Sequence, residues 1–263
     1  MIPDRIHFCF GLSPDFGGKP FSLVHYLAVR SAAEVNRPSA VRVHFLHRPS
    51  GPWWERALEI AEAVPIEPPD EIDGVPVRHH AHRADLARLQ ILAREGGIYL
   101  DADVFCLRPF APLLAHPAVL GQEGGADGDG GWGLCNAVVL AEPGAFFVER
   151  WLEGFDPARS LWQGFRSRGL DENWGEMAVR YPAMLAERYP EHVHVVGPRA
   201  FFWPTWTPSD LRLLFARDGT RFDDAYCLHL WEQRSWEPYL RDLTPETIHS
   251  VDTSFHRLAR RYV

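Results

Sequence analysis

Two carboxylates stand two residues apart in this sequence, at Asp101 and Asp103, directly after the apolar residues Ile98, Tyr99 and Leu100. On an extended backbone, residues i and i+2 point to the same side, so a strand over 98–103 would present both carboxylates at its end. Like charges at that spacing repel each other, and burial adds to the cost. A divalent cation with oxygen ligands, itself holding a phosphate, would offset this repulsion best. The pair therefore predicts a metal and phosphate site.

The residues before this pair predict a helix over 83–95, which ends at Gly96 and Gly97. Asp85 and Arg88 are three residues apart, so they share one face of that helix. If the helix packs on the strand, both side chains reach the carboxylate pair, and Arg88→Lys should cost activity with little change in stability. The alternative is a surface ion pair on a solvated helix.

The residues Ala84-Asp85-x-x-Arg88 and Gly96–Asp103 together resemble the sugar-donor motif of glycosyltransferases with a DXD element. Over residues 82–109 the pattern is most similar to glycosyltransferase family 32, with its alpha-1,4-galactosyltransferases and capsular polysaccharide sugar transferases. It is also similar to the glucosyltransferase domains of large bacterial toxins. Weaker similarities lie at Ile2–Phe8, Asn136–Val139 and His229–Trp236.

This resemblance implies a fold, a reaction and a cofactor. The fold is a GT-A-type α/β domain, and the donor is a nucleotide-sugar, with a UDP-sugar favoured. The cofactor is Mn²⁺ or Mg²⁺, and the reaction retains the configuration at the anomeric carbon. Phe10 occupies the place where the toxin-like relatives carry a base-stacking Trp, which leaves the identity of the base open.

The resemblance also implies which side chains form the site. The catalytic set is Asp101, Asp103 and Arg88. The donor-binding set is Phe10, Asp85, Arg88, Tyr99, Asp101, Asn136, Ser235 and Trp236. The metal ligands are Asp101 and Asp103 with His229 and Glu232. Whether His229 or the pair Glu232/Ser235 completes the metal site stays open, and His229 could equally be a core histidine.

Other residue clusters have weaker functional interpretations. His79, His80 and His82 lack matched partners and are predicted to be core or surface histidines rather than metal ligands. The Gly-rich segment Gly124–Gly133 lacks the glutamate of a calcium loop, so it is either a lid over the donor, with Trp132 as the lid residue, or a plain surface loop. Candidates kept outside the main set are Asp171, Glu172 and Glu176 as nucleophiles, and Trp203 and Trp206 for an acceptor cleft or the core.

Composition excludes several classes of protein. The chain has 263 residues, of which 46% are hydrophobic, and this suffices for one sizeable core. A net charge of −8 argues against a nucleic-acid partner. The only lysine, Lys19, is followed by proline, so a P-loop is excluded. We expect neither a signal peptide nor a transmembrane segment, whereas peripheral association with a membrane stays open.

The cysteines indicate the compartment. Cys9, Cys106, Cys135 and Cys227 each lie in or beside an apolar stretch, and none forms a CxxC pair. This pattern predicts four reduced, buried thiols in a cytoplasmic protein.

Strands and helices are predicted to alternate along the whole chain. The predicted strands cover residues 2–10, 41–47, 98–103, 118–122, 136–141, 193–196 and 225–231. The predicted helices cover residues 21–35, 53–63, 83–95, 143–154 and 174–188. Such alternation favours one α/β domain with an open, mostly parallel twisted sheet and helices on both faces, whose ligands bind beyond the carboxyl ends of the strands. Residues 1–140 would bind the nucleotide-sugar, and residues 141–263 would form the acceptor side and closing segment.

These observations predict a metal-dependent, retaining glycosyltransferase. It would move a hexose from a nucleotide-sugar to a saccharide or another hydroxyl acceptor, with charge stabilisation of the leaving diphosphate as the main contribution to catalysis. Two alternatives stay open. One is a nucleotide-sugar hydrolase that uses water as the acceptor, and the other is a non-catalytic nucleotide- or sugar-binding domain.

Overall fold

The chain folds around a central sheet, and the computed structural model describes residues 1–72, 74–124 and 133–263. The strands are β1 Arg5–Cys9, β2 Ala40–Phe45, β3 Glu62–Pro65, β4 Glu71–Ile72, β5 Val75–Pro76, β6 Gly97–Leu100, β7 Val104–Cys106, β8 Ala118–Glu123, β9 Gly133–Ala141, β10 His194–Val196 and β11 Cys227–His229. The helices are α1 Leu23–Asn36, α2 Pro52–Leu58, α3 His80–Glu95, α4 Phe146–Glu153, α5 Tyr181–Arg188, α6 Pro198–Phe201, α7 Pro208–Phe215, α8 Glu232–Ser235, α9 Pro245–Ser250 and α10 Ser254–Ala259.

The central sheet has seven strands in the order β10-β8-β9-β6-β1-β2-β3 among the residues that the structure describes. The pairs β10/β8, β6/β1, β1/β2 and β2/β3 are parallel, whereas β9 runs antiparallel to both of its neighbours, β6 and β8. Strands β7 and β11 form a separate antiparallel pair. The predicted open, mostly parallel sheet is confirmed.

Apolar layers cover both faces of this sheet. Alternate side chains of a strand point to opposite faces, and the residues of β6 follow that rule. Ile98 and Leu100 join the buried cluster that contains Leu27 of α1. Tyr99 joins the other buried cluster, which contains Leu89 of α3. Helices therefore pack on the two faces of one sheet, and the α/β fold class is confirmed.

Two glycines allow α3 to turn directly into the next strand. Gly96 has φ +62° and Gly97 has φ +115°, both in the region that favours glycine. A Cβ atom at Gly96 would lie 2.6 Å from Pro143, and one at Gly97 would lie 2.8 Å from the carbonyl oxygen of Arg5. Any other residue would therefore push α3 or β6 away from its neighbours, and this turn fixes how the helix lies on the strand.

Several predicted boundaries were wrong, for identifiable reasons. The helix predicted over 53–63 ends at Leu58, and an edge strand, Glu62–Pro65, follows it. This strand is short and half-exposed, and it ends in proline. It therefore shows no long apolar run by which the sequence could predict a strand. The helix predicted over 174–188 consists of a π turn, Glu176–Arg180, followed by α5. Pro182 at the start of α5 lacks the N–H that a continuous helix would need.

The four cysteines are free and buried, as their apolar neighbours predicted. Cys106 of β7 and Cys227 of β11 are partners in the antiparallel pair. No helix in the described part of the chain is both long and apolar enough to cross a membrane.

Candidate active site

The two carboxylates of the Asp-Ala-Asp segment lie in a turn between two sheets. Strand β6 ends at Leu100, and the N–H of Val104 donates to the carbonyl of Asp101 at 2.9 Å, which closes the turn. The prediction of a strand over 98–103 was therefore wrong at its end. The backbone leaves the central sheet after Leu100 because the next strand, β7, pairs with β11 instead. A turn, rather than the pleat of a strand, brings the carboxylates of Asp101 and Asp103 together.

A histidine completes this group. His229 ends β11, opposite Val104 in the pairing, and its Nε2 lies 3.3 Å from Oδ1 of Asp103. One ligand atom from each of Asp101, Asp103 and His229 lies within 4.8 Å of the others. Nδ1 of His229 is buried without a hydrogen-bond partner in the described structure. Two carboxylate oxygens suit Mn²⁺ or Mg²⁺, and the imidazole nitrogen suits Mn²⁺ better than Mg²⁺, so the residues present fit the implied cofactor.

The charges of this group favour a bound cation. Burial alone would raise the pKa of Asp103, but His229 and the backbone N–H of Glu232 outweigh it and lower that pKa to about 2. Burial raises the pKa of Asp101, and the charge of Asp103 adds to the effect while Arg88 opposes it. Asp103 is thus anionic. Burial alone would lower the pKa of His229, but the Asp103 carboxylate outweighs it and raises that pKa. A divalent cation would therefore displace the imidazole proton when it binds, and it would add positive charge beside Asp101.

Arg88 and Asp85 of α3 lie against this group and are almost fully buried, with exposed fractions of 3% and 5%. Nη1 of Arg88 lies 3.1 Å from Oδ1 of Asp101, and Nη2 lies 3.3 Å from Oδ1 of Asp85. The guanidinium also stands 4.5 Å from the ring centre of Tyr99, whose hydroxyl donates to Asp101 at 2.9 Å. The alternative of a surface ion pair is therefore wrong.

An irregularity in β9 presents Asn136 to the same residues. Leu120 of β8 pairs with Val139, but the next residue, Gly121, pairs with Cys135, so the pairing skips residues 136–138. Such bulges re-aim side chains near binding sites. The carbonyl of Asn136 accepts from Nη1 of Arg88 at 2.6 Å, and its Nδ2 donates to Oδ1 of Asp85 at 2.7 Å. The sequence predicted Asn136 in this site, although not through a bulge.

His82 also belongs to this network, whereas the sequence predicted only a core or surface histidine at this position. Its Nδ1 lies 3.1 Å from Oδ2 of Asp85, and its Nε2 lies 2.8 Å from the hydroxyl of Ser167. Burial alone would raise the pKa of Asp85, but His82, Arg88 and Asn136 together lower it. The spacing 82, 85, 88 on one helix face was the signal that could have revealed this histidine.

Glu232 contacts Asp103 through its backbone rather than its carboxylate. Its N–H donates to Oδ2 of Asp103 at 2.7 Å. Its carboxylate lies 3.0 Å from Nε2 of His25 and 3.3 Å from Nζ of Lys19. The side chain therefore points to Lys19 and His25, neither of which the sequence placed in this site. The structure brings Asp101, Asp103 and His229 together, and it does not add the Glu232 carboxylate to that group.

Ser235 and Trp236 follow Glu232 but face different surroundings. The Ser235 hydroxyl is fully buried and donates to the carbonyl of Leu230 at 2.6 Å, so it holds the closing segment together. The Trp236 ring centre lies 6.5 Å from that of His25. Phe10, half-buried at the end of β1, lies 4.6 Å from the same His25 ring. Phe10 and Trp236 thus flank one histidine, whereas the Ser235 hydroxyl is not brought to the carboxylate group.

A buried carboxylate on β8, that of Glu123, interacts electrostatically with His229, and no spacing in the sequence predicted it. Oε1 of Glu123 accepts from Nε1 of Trp206 at 3.1 Å. Burial raises the pKa of Glu123, although the charge of His229 and the bond from Trp206 oppose the effect. Trp206, an acceptor-cleft candidate, therefore lies near the site. Trp203 instead stacks with Arg199, whose guanidinium lies 4.3 Å from the ring centre.

The remaining candidates do not join this group. Both oxygens of Glu176 accept from Arg166, so this carboxylate is already paired. Asp171 accepts from the hydroxyl of Ser167 at 3.0 Å, and Glu172 is exposed. The lid candidate Trp132, with residues 125–132, lies outside the described residues.

Comparison with known proteins gives consistent similarities. Residues 34–120 match the family model described as a glycosyltransferase sugar-binding region containing the DXD motif. The chain is 33% identical over 272 residues to glucan organizing enzyme 1 of Cryptococcus neoformans, covering 100% of this chain and 71% of that protein. It is 33% identical over 119 residues to subversion of eukaryotic traffic protein A of Legionella pneumophila, covering 45% of this chain and 17% of the relative.

A solved structure shows the same fold. Mouse xyloside xylosyltransferase 1 superposes with a TM-score of 0.51 at 11% identity, over 89% of this chain and 99% of that one. At this identity the likeness concerns the fold alone.

Proposed function

This chain belongs to the glycosyltransferases that carry a DXD sugar-binding region, with a GT-A-type fold, and from that premise we propose a metal-dependent, retaining hexosyltransferase. The donor is a UDP-sugar, and the acceptor is a hydroxyl group on a saccharide or another molecule. The observation that carries the proposal is the convergence of Asp101, Asp103 and His229 within 4.8 Å, beside the buried guanidinium of Arg88.

The negative charge of the donor's diphosphate leaving group explains the role of each residue in the site. Asp101, Asp103 and His229 would hold Mn²⁺ or Mg²⁺. A bound divalent cation would supply the positive charge that the departing diphosphate needs. Tyr99 and Arg88 hold the Asp101 carboxylate from the side of α3. The backbone N–H of Glu232 holds Asp103 from the closing segment. Each carboxylate is thus oriented before the donor binds, and this reduces the reorganisation that the reaction requires.

The acidic groups around the site support front-face attack by the acceptor. Within residues 1–72, 74–124 and 133–263, the carboxylates of Asp85, Glu123 and Glu176 all accept hydrogen bonds from protein side chains. A nucleophilic carboxylate would have to leave those partners first. We propose that the acceptor hydroxyl itself attacks the anomeric carbon from the face that the diphosphate leaves, so the product retains the donor's configuration.

The two halves of the chain contribute differently in this proposal. Residues 1–140 supply Phe10, the α3 face and the Asp-Ala-Asp turn for the nucleotide-sugar. Residues 141–263 supply the acceptor side through Trp206 and the closing segment through His229. The name of the fungal relative, a glucan organizing enzyme, supports a saccharide acceptor.

We propose a cytoplasmic location for the active protein, with peripheral contact to a membrane where the acceptor requires it. The support is the four free, buried thiols, including the opposed pair Cys106 and Cys227. Thiols of this kind persist in a reducing compartment.

Nucleotide binding to an Asp103→Asn variant tests the metal site. Asparagine keeps an oxygen for the Glu232 N–H but removes the charge, so UDP affinity in Mn²⁺ should fall about a hundredfold or more, whereas affinity in EDTA should not change. Titration calorimetry measures both affinities. Asp4→Asn, at an exposed aspartate, is the matched control. Equal UDP affinity of Asp103→Asn and the wild type in Mn²⁺ would reject the metal assignment.

A panel of UDP- and GDP-sugars then separates the three candidate functions. A transferase releases nucleoside diphosphate faster when an acceptor saccharide is added, and it forms a new glycoside. If free sugar is the only product with every acceptor, the protein is a hydrolase. If nucleotides bind in Mn²⁺ and no donor is consumed, the chain is a binding domain and the transferase proposal fails.

A further inference from the structure

Lys19, the chain's only lysine, lies at the edge of the candidate active site. It follows the carboxyl end of β1, the edge of a parallel sheet where ligands bind. Its Nζ lies 3.3 Å from Oε2 of Glu232 and 5.7 Å from the ring centre of Trp236. The side chains of Lys19 and Glu232 are 23% and 19% exposed. The ammonium group is therefore held near the site while it stays accessible to a ligand.

Glu232 connects this lysine to the metal group. The same residue donates its backbone N–H to Asp103 at 2.7 Å and directs its carboxylate to Lys19. A diphosphate held by a cation on Asp103 would therefore lie close to the Lys19 ammonium. An ammonium is a compact cation with three donors, which suits a phosphate oxygen.

Arg88 is poorly suited to the same task. The residue is 3% exposed, and its guanidinium donates to the carbonyl oxygens of Ala84 and Asn136. Its remaining donors face the carboxylates of Asp85 and Asp101. Binding a phosphate would require Arg88 to give up buried partners, at considerable cost. Lys19, by contrast, would give up one ion pair with Glu232, and Nε2 of His25 would still lie 3.0 Å from the Glu232 carboxylate.

The loop that carries Lys19 is built to hold it in this place. Gly17 has φ +64°, and a Cβ atom there would lie 2.9 Å from the imidazole of His80, the first residue of α3. The Asp15 carboxylate accepts from the N–H of Gly17 at 3.1 Å. The loop is thus packed tightly on the start of α3, and the position of Lys19 is defined relative to the helix that carries Asp85 and Arg88.

We propose that Lys19 binds the diphosphate of the nucleotide donor, exchanging its ion pair with Glu232 for a phosphate oxygen. The inference rests on the proposed function, because it assumes a nucleoside diphosphate at the Asp-Ala-Asp turn. It assigns to Lys19, rather than Arg88, the direct contact with the leaving group.

Calorimetric titration of UDP, UMP and uridine in Mn²⁺ tests this role. For Lys19→Met, UDP affinity should fall about tenfold or more, because one charge-assisted hydrogen bond is lost. Uridine affinity should not change, since uridine has no phosphate. Lys19→Arg should bind UDP within about threefold of the wild type, because it keeps the charge. The control is Arg150→Met, which removes a partly exposed, ion-paired cation on α4.

The outcomes separate this inference from the proposed function. If the wild type does not bind UDP in Mn²⁺, the proposed function fails. If the wild type binds UDP and Lys19→Met binds it equally well, the inference alone is overturned. An equal loss of uridine and UDP affinity in Lys19→Met would also overturn it, because the lysine would then only support the fold of the site. Thermal unfolding of each variant verifies that the folded protein is compared.

Discussion

The N–H groups of the Arg88 guanidinium face protein atoms of the site: two carbonyl oxygens and two carboxylates. Carbonyl oxygens from α3 and β9 accept from it, two carboxylates flank it, and the Tyr99 ring lies under its plane. A planar fork with five donors can meet all these partners at once, whereas an ammonium cannot. Arg88 is therefore a positioning residue for Asp101 and also part of the buried framework. This differs from our expectation of little stability change on Arg88→Lys.

Arg88→Lys should lower the free energy of unfolding by about 2–4 kcal/mol, because buried acceptors and carboxylates would lose their partner. Urea unfolding measures the loss. Arg94→Lys on the same helix, where the side chain is 65% exposed, should change stability by less than about 0.5 kcal/mol. If both variants unfold at the same urea concentration as the wild type, the framework role of Arg88 is wrong.

The sequence could predict the residues whose proximity follows from local geometry. Helix spacing puts Asp85 and Arg88 on one face, and the turn at Gly96 returns the chain so that Asp101 meets them. Lys19 could not be found in this way, since it meets Glu232 across 213 residues of sequence. Glu123 was missed for a similar reason, because a single buried glutamate on a strand carries no spacing signal.

Strands β1 and β2 carry an unusual pair of histidines between them. Nδ1 of His7 lies 3.0 Å from Nε2 of His44, and both rings are fully buried. Burial lowers the pKa of His7 to about 4, although Glu95 opposes the effect. Burial, together with the charge of His7, lowers the pKa of His44 to about 3. The strand pair is therefore assembled around two neutral imidazoles.

This pair should make the protein sensitive to mild acid. Histidines of the unfolded chain titrate near 6.5, so the unfolded state takes up protons before the folded state does. The stability present above pH 6.5 is therefore lost as the pH falls towards 4. Between pH 7 and pH 5 the two histidines together should cost about 2–4 kcal/mol of unfolding free energy. Urea unfolding at both pH values measures the change.

The control for this prediction is the double variant His7→Leu/His44→Leu. Its stability at pH 7 can differ from the wild type, but its loss of stability between pH 7 and pH 5 should be clearly smaller. If the double variant loses as much stability between pH 7 and pH 5 as the wild type does, groups other than His7 and His44 cause the loss and the prediction is wrong.

Helices and strands were predicted correctly where the sequence has a long periodic apolar pattern. They were predicted wrongly where pairing with a distant strand determines where an element begins or ends. Helix α3 and strand β9 were found from their apolar spacing. The end of β6 at Leu100 could not be found, because the departure of the chain depends on β11, more than a hundred residues later. The edge strand β3 was missed, and its first two residues were assigned to the preceding helix, since only the pairing with β2 makes it a strand.

At the scale of the whole molecule, the described chain keeps its thiols inside its apolar layers. Burial raises the pKa of the Cys9 thiol to about 12, and that of Cys106 to about 12 as well. Thiols that are both buried and protonated react slowly with disulfide reagents. The folded molecule as a whole, rather than any local feature, protects them.

A thiol reagent such as DTNB at pH 8 should therefore label less than one thiol per native molecule within minutes. In denaturant it should label all four, because unfolding exposes every cysteine. The measurement uses protein purified without reductant. A total of two in denaturant would show that two of the four cysteines had joined as a disulfide, and this would contradict the proposed cytoplasmic location; peptide mapping would test whether Cys106 and Cys227, opposed across β7 and β11, are the pair.

The skipped pairing at residues 136–138 of β9 has a consequence for how relatives of this chain are aligned. Asn136 reaches Arg88 and Asp85 because β9 carries residues there that have no counterpart on β8. The site therefore does not fix the number of residues between Asp103 and Asn136. Another chain with a shorter or longer insertion could present the same amide to the same helix. An alignment that forbids gaps here would match the wrong residue with Asn136, so the register is better anchored on Asp85 and Arg88.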